Sequence, residues 1–453
     1  MVEFDAAVIG GGFSGCAVAA HLARRAGPGF SLCLFEPGEL GRGAAYGTQH
    51  AEHVLNTRAQ QMSLYSDEPD HFVRWLDGRA GPTDFVSRRL YGEYVNQISA
   101  EIFVRPGFAR IRDRATVVRR ENGGFVIASP GAAPVHARSV VLATGNPLPG
   151  SDHLFPDVLA HPGYIGDPWR FDYRAVGGHV LVIGSGHTAL DVLVALNASG
   201  HRGAVHVLSR HGLYPQAHAP VGEYDVIPAL DTSNARFLLG SFRRHLDDAA
   251  RRGFDWRAVI DALRPEAEAT WRRLPQVERR RFERHLRGRW ERHRHRIPPH
   301  VESVLASYQR SKRLFTYAGR LAAMRDGNAT IAMRGGGTIA LHPDWIVNCA
   351  GLGSSAMTRD PLLAGLLADG EIATEPGGLG LRVTPELGAI GATGAPTPGL
   401  WIVGPPVRGS RFEATAVPEI RAMAELAARA LLAAPQPQYT LDVTPAPVAQ
   451  RST

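Results

Sequence analysis

Two glycine-rich segments constrain the fold of this chain more than any other feature. Residues 10–15 read Gly-Gly-Gly-Phe-Ser-Gly, and residues 184–189 read Gly-Ser-Gly-His-Thr-Ala. Each follows a short apolar run and opens a stretch of helical composition. A strand that ends in Gly-x-Gly-x-x-Gly/Ala and turns at once into a helix brings backbone N–H groups against a pyrophosphate. The sequence therefore predicts two βαβ units that bind dinucleotides, and an α/β fold.

The first unit carries an acidic residue in the expected place. Glu36 ends the second apolar strand, residues 31–35, and lies 26 residues after Gly10. A carboxylate there accepts a hydrogen bond from a ribose hydroxyl, while the glycines allow the tight turn and the close approach of the backbone. The residues that we predict to bind the first dinucleotide are Gly10, Gly12, Phe13, Ser14, Gly15 and Glu36.

The second unit differs at the corresponding position. Its second strand, residues 204–208, is followed by Ser209, Arg210 and His211 instead of an acid. Arginine pairs with a ribose 2′-phosphate, whereas a carboxylate would repel it, so we expect NADPH here. The alternative is that Arg210 is a surface arginine and that the site accepts either nucleotide. The predicted second set is Gly184, Ser185, Gly186, His187, Thr188, Ser209 and Arg210.

Two dinucleotide sites in one chain imply electron transfer between two cofactors. A nicotinamide must pass its hydride to an acceptor, and a bound flavin is the natural one. We therefore expect FAD in the first site and NADPH in the second. Flavin chemistry places the reactive atoms on the cofactor, and no catalytic residue can be named from the sequence.

Cysteine usage narrows the class of enzyme. The only cysteines are Cys16, Cys33 and Cys349, and no two form a Cys-x-x-Cys pair. This favours a reducing, cytoplasmic setting and argues against a disulfide scaffold. It also argues against a disulfide reductase, which needs a redox-active pair beside its flavin. The N-terminus has no signal-peptide pattern, and no apolar run is long enough for a transmembrane helix.

The two units divide the chain into predicted domains. We expect an FAD-binding domain formed by residues 1–165 and 351–434, interrupted by an NADP-binding domain at 166–350. Residues of about 234–311 are rich in Arg, Leu, Trp and Glu and predict two or three inserted helices. The last residues, 435–453, have the composition of a disordered tail.

Several further segments resemble a known family. They are residues 41–48, 66–72, 143–145, 346–351 and 412–420, which with the two glycine motifs spread over residues 5 to about 430. In combination they resemble two-dinucleotide-binding-domain flavoproteins, and more narrowly a bacterial group of FAD/NAD(P)-binding proteins. The resemblance implies two Rossmann-like domains, one for FAD and one for NADP.

The resemblance also implies roles for single residues around the flavin. Gly404 matches a glycine that follows the last strand, although Pro405 stands where an acidic residue is usual. Thr415, Ala416 and Val417 would open a helix that faces the flavin. Arg42 and Tyr46 either line the flavin or only structure their loop. The other implied contacts are Met62, Val117 or Val118 to adenine, Ala143, Thr144 and Gly145.

Three kinds of flavoenzyme share this architecture: flavin-dependent monooxygenases, disulfide reductases and electron-transfer reductases. A monooxygenase acting on a small organic substrate with O₂ fits best, since Trp169 matches a signature of class B monooxygenases, although Ile165 stands where that signature has histidine. Residues 60–62, followed by Asp67 and Pro69, resemble a loop of enzymes that N-hydroxylate lysine and ornithine. The alternatives are a reductase or dehydrogenase that passes electrons to another acceptor, and a basic-surface binding protein with a vestigial flavin fold.

The arginine-rich insertion favours a lid more than a nucleic-acid or membrane site. Its arginines are interleaved with glutamates, and Glu283 and Arg287 are spaced to pair on an exposed helix. We expect no nucleic-acid partner, no membrane partner and no metal site, and the oligomeric state stays open. His187 either contacts a phosphate or only begins a helix, and His218 is a candidate for the nicotinamide side.

Overall fold

A computed structural model describes residues 2–146, 149–152, 154–351, 356–378 and 380–434. The expected tail at 435–453 lies outside these residues. The strands are β1 Val2–Ile9, β2 Leu32–Phe35, β3 Phe108–Ile111, β4 Val117–Glu121, β5 Gly124–Ser129, β6 Ala132–Leu142, β7 Tyr164–Ile165, β8 Val180–Ile183, β9 Val205–Ser209, β10 Leu314–Arg325, β11 Asn328–Met333, β12 Thr338–Leu341, β13 Trp345–Asn348, β14 Gly388–Ile390 and β15 Pro396–Ile402.

The α-helices lie between and after these strands in the chain. They are α1 Phe13–Arg25, α2 Gly43–Tyr46, α3 His71–Leu76, α4 Arg88–Ile102, α5 Pro156–Leu159, α6 His187–Ala198, α7 Ala235–Arg251, α8 Trp256–Leu263, α9 Ala267–Arg273, α10 Gln276–His285, α11 Arg287–Arg294, α12 Pro299–Arg310, α13 Ala356–Arg359, α14 Pro361–Ala368 and α15 Val417–Ala433. None of those described is long and apolar enough to cross a membrane.

The first sheet has a parallel centre in the order β15-β6-β1-β2-β3. The antiparallel strands β14 and β5 join β15 and β6, and β4 continues from β5. Strands β1 and β2 are fully buried over residues 6–9 and 32–35, as expected of parallel strands with helices on both faces. Helices α1 and α15 pack together beside this sheet.

The second sheet repeats the arrangement. Its parallel part runs in the order β10-β9-β8-β13-β7, and the β10-β11-β12 meander extends one edge. Helix α6 follows β8 as α1 follows β1. The fold class expected from the sequence, two Rossmann-like units with a helical insertion in the second, is therefore confirmed.

The insertion differs from the sequence expectation in its number of helices. Six helices, α7 to α12, cover residues 235–310, where two or three were expected. Proline explains the extra boundaries, because Pro265, Pro275 and Pro298 stand at or next to helix starts. Proline lacks a backbone N–H and fits the first turn, while it restrains the residue before it from helical geometry.

Candidate functional site: two dinucleotide clefts

The two glycine turns are built alike at the carboxyl ends of their sheets. Gly10 has φ of +102°, and a Cβ there would lie 2.5 Å from the carbonyl oxygen of Ala143. Gly184 has φ of +119°, and a Cβ there would lie 2.2 Å from the carbonyl oxygen of Cys349. Only glycine satisfies both the conformation and the space. Both turns therefore pass directly against the end of the next parallel strand.

The second glycine of each motif leaves room at the start of the helix. A Cβ on Gly12 would meet only the Cα of Gly43, at 3.6 Å, and a Cβ on Gly186 would meet nothing within 4 Å. These positions border open space, unlike Gly10 and Gly184. A pyrophosphate can approach the backbone closely only where no side chain intervenes, and glycine at these two positions leaves that space free.

The helices at these turns begin without a side-chain cap. Neither Gly12 before α1 nor Gly186 before α6 can supply one, and Ala416 before α15 supplies none. By contrast, Ser87 caps α4 and Asn234 caps α7. The first N–H groups of α1, α6 and α15 are thus left to bind an anionic group on a ligand. Both clefts fit the dinucleotides that the sequence predicts.

A cavity of about 430 Å³ lies at the carboxyl end of the first sheet. Gly10, Glu36, Thr144 and Gly145 line it, as the sequence analysis expects of residues around an adenine dinucleotide. Ala143 is buried just behind the cavity. Loop and linker residues that also line it include Gly43, Ala44, Gly47, Asn146, Asp167, Trp169 and Arg170.

Two backbone N–H groups orient the carboxylate of Glu36, the predicted partner of a ribose hydroxyl. Its Oε2 accepts from the N–H of Gly11 at 2.9 Å, and its Oε1 accepts from the N–H of Gly38 at 2.9 Å. A Cβ on Gly11 would lie 2.6 Å from the Cβ of Glu36. Gly11, a position that the motif leaves open, is therefore also required to be glycine, which sequence reasoning missed.

The adenine side of this cavity differs from the expected contact. Arg114 and Ala115 line the cavity beside Glu36, whereas Val117 and Val118 lie in β4 and do not. Val117 is exposed and Val118 is buried. Arg114 and Ala115 precede β4 in an irregular segment, and no motif in the sequence marks them.

Arg42 and Tyr46 belong to the framework of their loop. Arg42 donates from Nη1 to the carbonyl of Arg89 at 3.0 Å and pairs with Glu39. Tyr46 is buried edge-on against Tyr91, with ring centroids 4.8 Å apart. Met62 is buried. Of the two possibilities left open for Arg42 and Tyr46, the structure favours the structural one, since Gly43, Ala44 and Gly47 face the cavity instead.

The segment after β15 closes the other side of helix α1. Gly404 has φ of +88°, and a Cβ there would lie 2.3 Å from Oγ of Ser14. Ser14 and Phe13 are buried at the start of α1. Thr415 is exposed at the start of α15. Gly404 therefore packs directly against Ser14 at the start of α1.

In the second cleft, strand register places Ser209 where the first has Glu36. Ile9 pairs with Phe35 in the first sheet, and Ile183 pairs with Leu208 in the second, so Glu36 and Ser209 are equivalent. Oγ of Ser185 donates to the carbonyl oxygen of Leu213 at 2.7 Å and lies 2.8 Å from Oγ of Ser209. A neutral hydroxyl therefore replaces a carboxylate at the ribose position.

Positive charge lies close to His211, two residues after Ser209. Arg210 is exposed at the end of β9, and Arg334, in the β11–β12 turn, contacts Nδ1 of His211. Burial together with the charges of Arg334, Arg210 and Arg289 lowers the pKa of His211. The arginine from the β11–β12 turn was missed by sequence reasoning, because 123 residues separate it from His211. The arrangement is able to bind a phosphate beside the ribose.

The two histidines considered for ligand contact make protein contacts instead. Nε2 of His187 lies 2.9 Å from the carbonyl oxygen of His295, and burial lowers the pKa of His187. Nε2 of His218 lies 3.0 Å from the carbonyl oxygen of Asn56, and burial lowers the pKa of His218 to about 4. Both side chains are thus neutral, and each contacts the backbone of a segment that is distant in sequence.

A polar network ties helix α6 to the first half of the chain. Asp191, buried on α6, pairs with Nη2 of Arg88 at 3.3 Å and accepts from Nε1 of Trp169 at 3.4 Å. Its carbonyl lies 3.1 Å from Nε2 of His53. Nδ1 of His53 lies 2.8 Å from Oγ1 of Thr48. The second dinucleotide unit is therefore fixed against the loop beside the first cleft.

The three cysteines are far from any dithiol arrangement. Cys16, Cys33 and Cys349 are all free and buried. Burial raises the pKa of Cys16 to about 11 and that of Cys33 to about 12, and raises that of Cys349 well above its ordinary value. A thiolate is the reactive form of cysteine, so these side chains are inert in the folded chain.

Comparison with known proteins agrees with the two clefts. Residues 7–147 match a family described as FAD-NAD(P)-binding. No curated protein matches the sequence. Among solved structures, L-lysine 6-monooxygenase from Pseudomonas syringae is similar at 18% identity and a TM-score of 0.61, over 94% of this chain and 99% of that one.

Other similar structures include both oxygenases and reductases. Ornithine hydroxylase (PvdA) from Pseudomonas aeruginosa aligns at 14% identity and a TM-score of 0.62, over 95% of this chain and 99% of that one. Bacillithiol disulfide reductase Bdr (YpdA) from Staphylococcus aureus aligns at 13% identity and a TM-score of 0.57, over 96% and 99%. At these identities the likeness shows the fold, and it leaves the reaction open.

Proposed function

We propose that this chain, an FAD- and NAD(P)-binding oxidoreductase by family and fold, is an NADPH-dependent monooxygenase that acts on a small organic substrate. The observation that carries the proposal is the state of the cysteines. The similar structures divide into oxygenases and disulfide reductases, and the three buried, unpaired cysteines of this chain do not suit the second kind of chemistry. N-hydroxylation is the narrower hypothesis, supported by the likeness of residues 60–69 to the loop of lysine and ornithine hydroxylases.

The chain's own groups would hold the first cofactor. The N–H groups at the start of α1 bind the pyrophosphate above Gly12, and Glu36 accepts from a ribose hydroxyl. The start of α15 supports negative charge on the flavin ring, because a helix N-terminus is electropositive. Bound FAD would supply the acceptor for the hydride of NADPH and the centre at which O₂ reacts.

The second cleft would hold NADPH in a corresponding way. The start of α6 receives its pyrophosphate above Gly186, and Ser209 takes the place of a carboxylate. Arg210, with Arg334 beside it, pairs with the 2′-phosphate. The network around Asp191 keeps the second unit in place against the first cleft, so that the two cofactors keep one relative orientation.

The proposal is tested with purified holoenzyme, NADPH and ¹⁸O₂ in the presence of lysine, ornithine and other primary amines. The expected result is one ¹⁸O atom in a product, together with NADPH-dependent O₂ uptake. The matched control is Gly186→Ala, which should keep its FAD and lose turnover. Rapid anaerobic oxidation of NADPH with a disulfide or quinone acceptor, and no ¹⁸O in any product, would overturn the proposal in favour of a reductase.

A further inference from the structure

The helical insertion encloses a cavity that the dinucleotide clefts do not explain. Its volume is about 500 Å³, and helices α7 to α11 surround it. Small-molecule sites commonly occupy about 300–1,000 Å³. Protein interiors hold few voids larger than a water molecule, because unfilled space forfeits contacts. Five helices arranged around a space of this size therefore point to a ligand.

The walls of the cavity are apolar and aromatic. Trp256, Trp271 and Trp290 line it, together with leucines from α7, α8 and α10–α11 and with Phe412 from the segment before α15. Phe412 stacks on Trp271 with ring centroids 4.9 Å apart. Rigid aromatic walls suit an apolar body, which they bury at little cost in side-chain entropy.

The charges at this cavity have one sign. Arg243 and Arg289 line it and are exposed, which places them where it opens. No carboxylate is among its described lining residues. In contrast to Arg287 and Arg294 nearby, which pair with glutamates, Arg243 and Arg289 form no ion pair within the described part of the chain.

We propose that this cavity binds a small organic carboxylate with an apolar body. The body lies among the three tryptophans and Phe412, and the carboxylate pairs with Arg243 and Arg289 at the opening. Arg289 also lies near His211 and the second dinucleotide cleft, so Arg243 is the residue that reports on this cavity alone. The site does not depend on the reaction proposed for the flavin.

The test measures binding to protein that is already saturated with FAD and NADP⁺. Decanoate, below the concentration at which it aggregates, is titrated by calorimetry and by tryptophan fluorescence, with decanol and decyltrimethylammonium as probes of equal chain length. Decanoate should bind saturably and quench the fluorescence, at least tenfold more tightly than decanol. Equal binding of decanoate and decyltrimethylammonium would overturn the proposal.

Two substitutions distinguish binding in this cavity from non-specific binding of decanoate elsewhere on the protein. Arg243→Glu should weaken decanoate binding about tenfold or more, while Arg244→Glu, at an exposed neighbour that does not line the cavity, should leave it unchanged. Leu239→Trp should fill the cavity and abolish binding, with melting temperature and FAD content checked as folding controls. Equal effects of the two arginine variants, or wild-type affinity in Leu239→Trp, would contradict the assignment.

Discussion

Arg294 and Glu413 form a two-bond ion pair that joins the helical insertion to the segment before α15. Nε of Arg294 donates to Oε1 of Glu413 at 2.8 Å, and Nη2 donates to Oε2 at 2.6 Å. Each side chain is only 9% exposed. Nε and Nη2 of Arg264 from the insertion both donate to Oε1 of Glu419 in the first turn of α15. The insertion is therefore anchored by two ion pairs to the segment before α15 and to the first turn of α15.

Breaking this pair should destabilise the protein strongly. Arg294→Ala leaves the Glu413 carboxylate buried without its partner, which typically costs about 3–5 kcal/mol. We expect a lower urea midpoint of unfolding. The control is Arg174→Ala, whose pair with Asp172 is 83% and 57% exposed and should not change the midpoint measurably. Equal stability of Arg294→Ala and wild type would show that the insertion is not held by this contact.

The two open glycines should separate the two cofactor sites. Gly12→Ala adds a methyl group where the protein leaves room, so the fold should persist while FAD content falls about tenfold or more. Gly186→Ala should keep FAD and weaken NADPH to a similar extent. Flavin absorbance per protein and NADPH titration measure the two effects. Gly27→Ala, which also meets nothing within 4 Å but lies away from both clefts, is the control and should change neither.

The sequence predicted the frame of both clefts but not the contacts that close them. Strand β8 ends at the second glycine motif, and helices α6 and α15 begin where the sequence predicts. The insertion was misjudged, because its prolines were not read as helix boundaries. Helix α4 follows no glycine motif and was not predicted, although Ser87 caps it. A helix without such a motif can be predicted only from residue propensity and hydrophobic periodicity.

Contacts between distant segments could not be predicted in this way. The pairing of Arg294 with Glu413 spans 119 residues, and that of Arg334 with His211 spans 123. Arginine is frequent throughout the chain, so composition does not show which arginine pairs with which residue. Arg114 and Ala115 line the first cavity because of the path of the irregular segment between β3 and β4. No single motif encodes that path.

Arg210 should decide the choice between the two nicotinamide nucleotides. A hydrogen-bonded charge pair with the 2′-phosphate is worth about 1.5–3 kcal/mol, so Arg210→Ala should weaken NADPH binding about 10- to 100-fold. NADH lacks this phosphate and should bind as before. Dissociation constants for both nucleotides provide the measurement. Arg202→Ala, an exposed arginine at the opposite end of β9, is the control. Equal weakening of NADH and NADPH by Arg210→Ala would refute the assigned role.

The cysteines should be unreactive in the native protein and dispensable for turnover. A thiol reagent should label none of the three in the folded enzyme and all three after denaturation, because each is buried and burial raises its thiol pKa. Cys16→Ala should retain NADPH-dependent O₂ uptake. Rapid labelling of Cys16 under native conditions, with loss of turnover, would instead favour thiol chemistry at the first cleft.

Buried histidines should make the protein less stable in mild acid. Burial lowers the pKa of His21 and His218 to about 4 and that of His295 to about 3. Below pH 6.5 the unfolded chain binds protons at these positions and the native chain does not, so stability should fall as pH decreases from 6.5 to 5. This window lies above the range in which most carboxylates titrate.

His218→Gln isolates one of these groups. The glutamine amide can donate to the carbonyl of Asn56, as the neutral imidazole does, but it takes up no proton. At pH 7.5 the variant should therefore match the wild type in its urea midpoint, which checks that the contact is kept. Between pH 6.5 and 5 its stability should fall less steeply, by about one proton per molecule in the pH dependence of unfolding. An unchanged slope would mean that His218 is already protonated in the native chain, and the neutral link between the two halves would have to be abandoned.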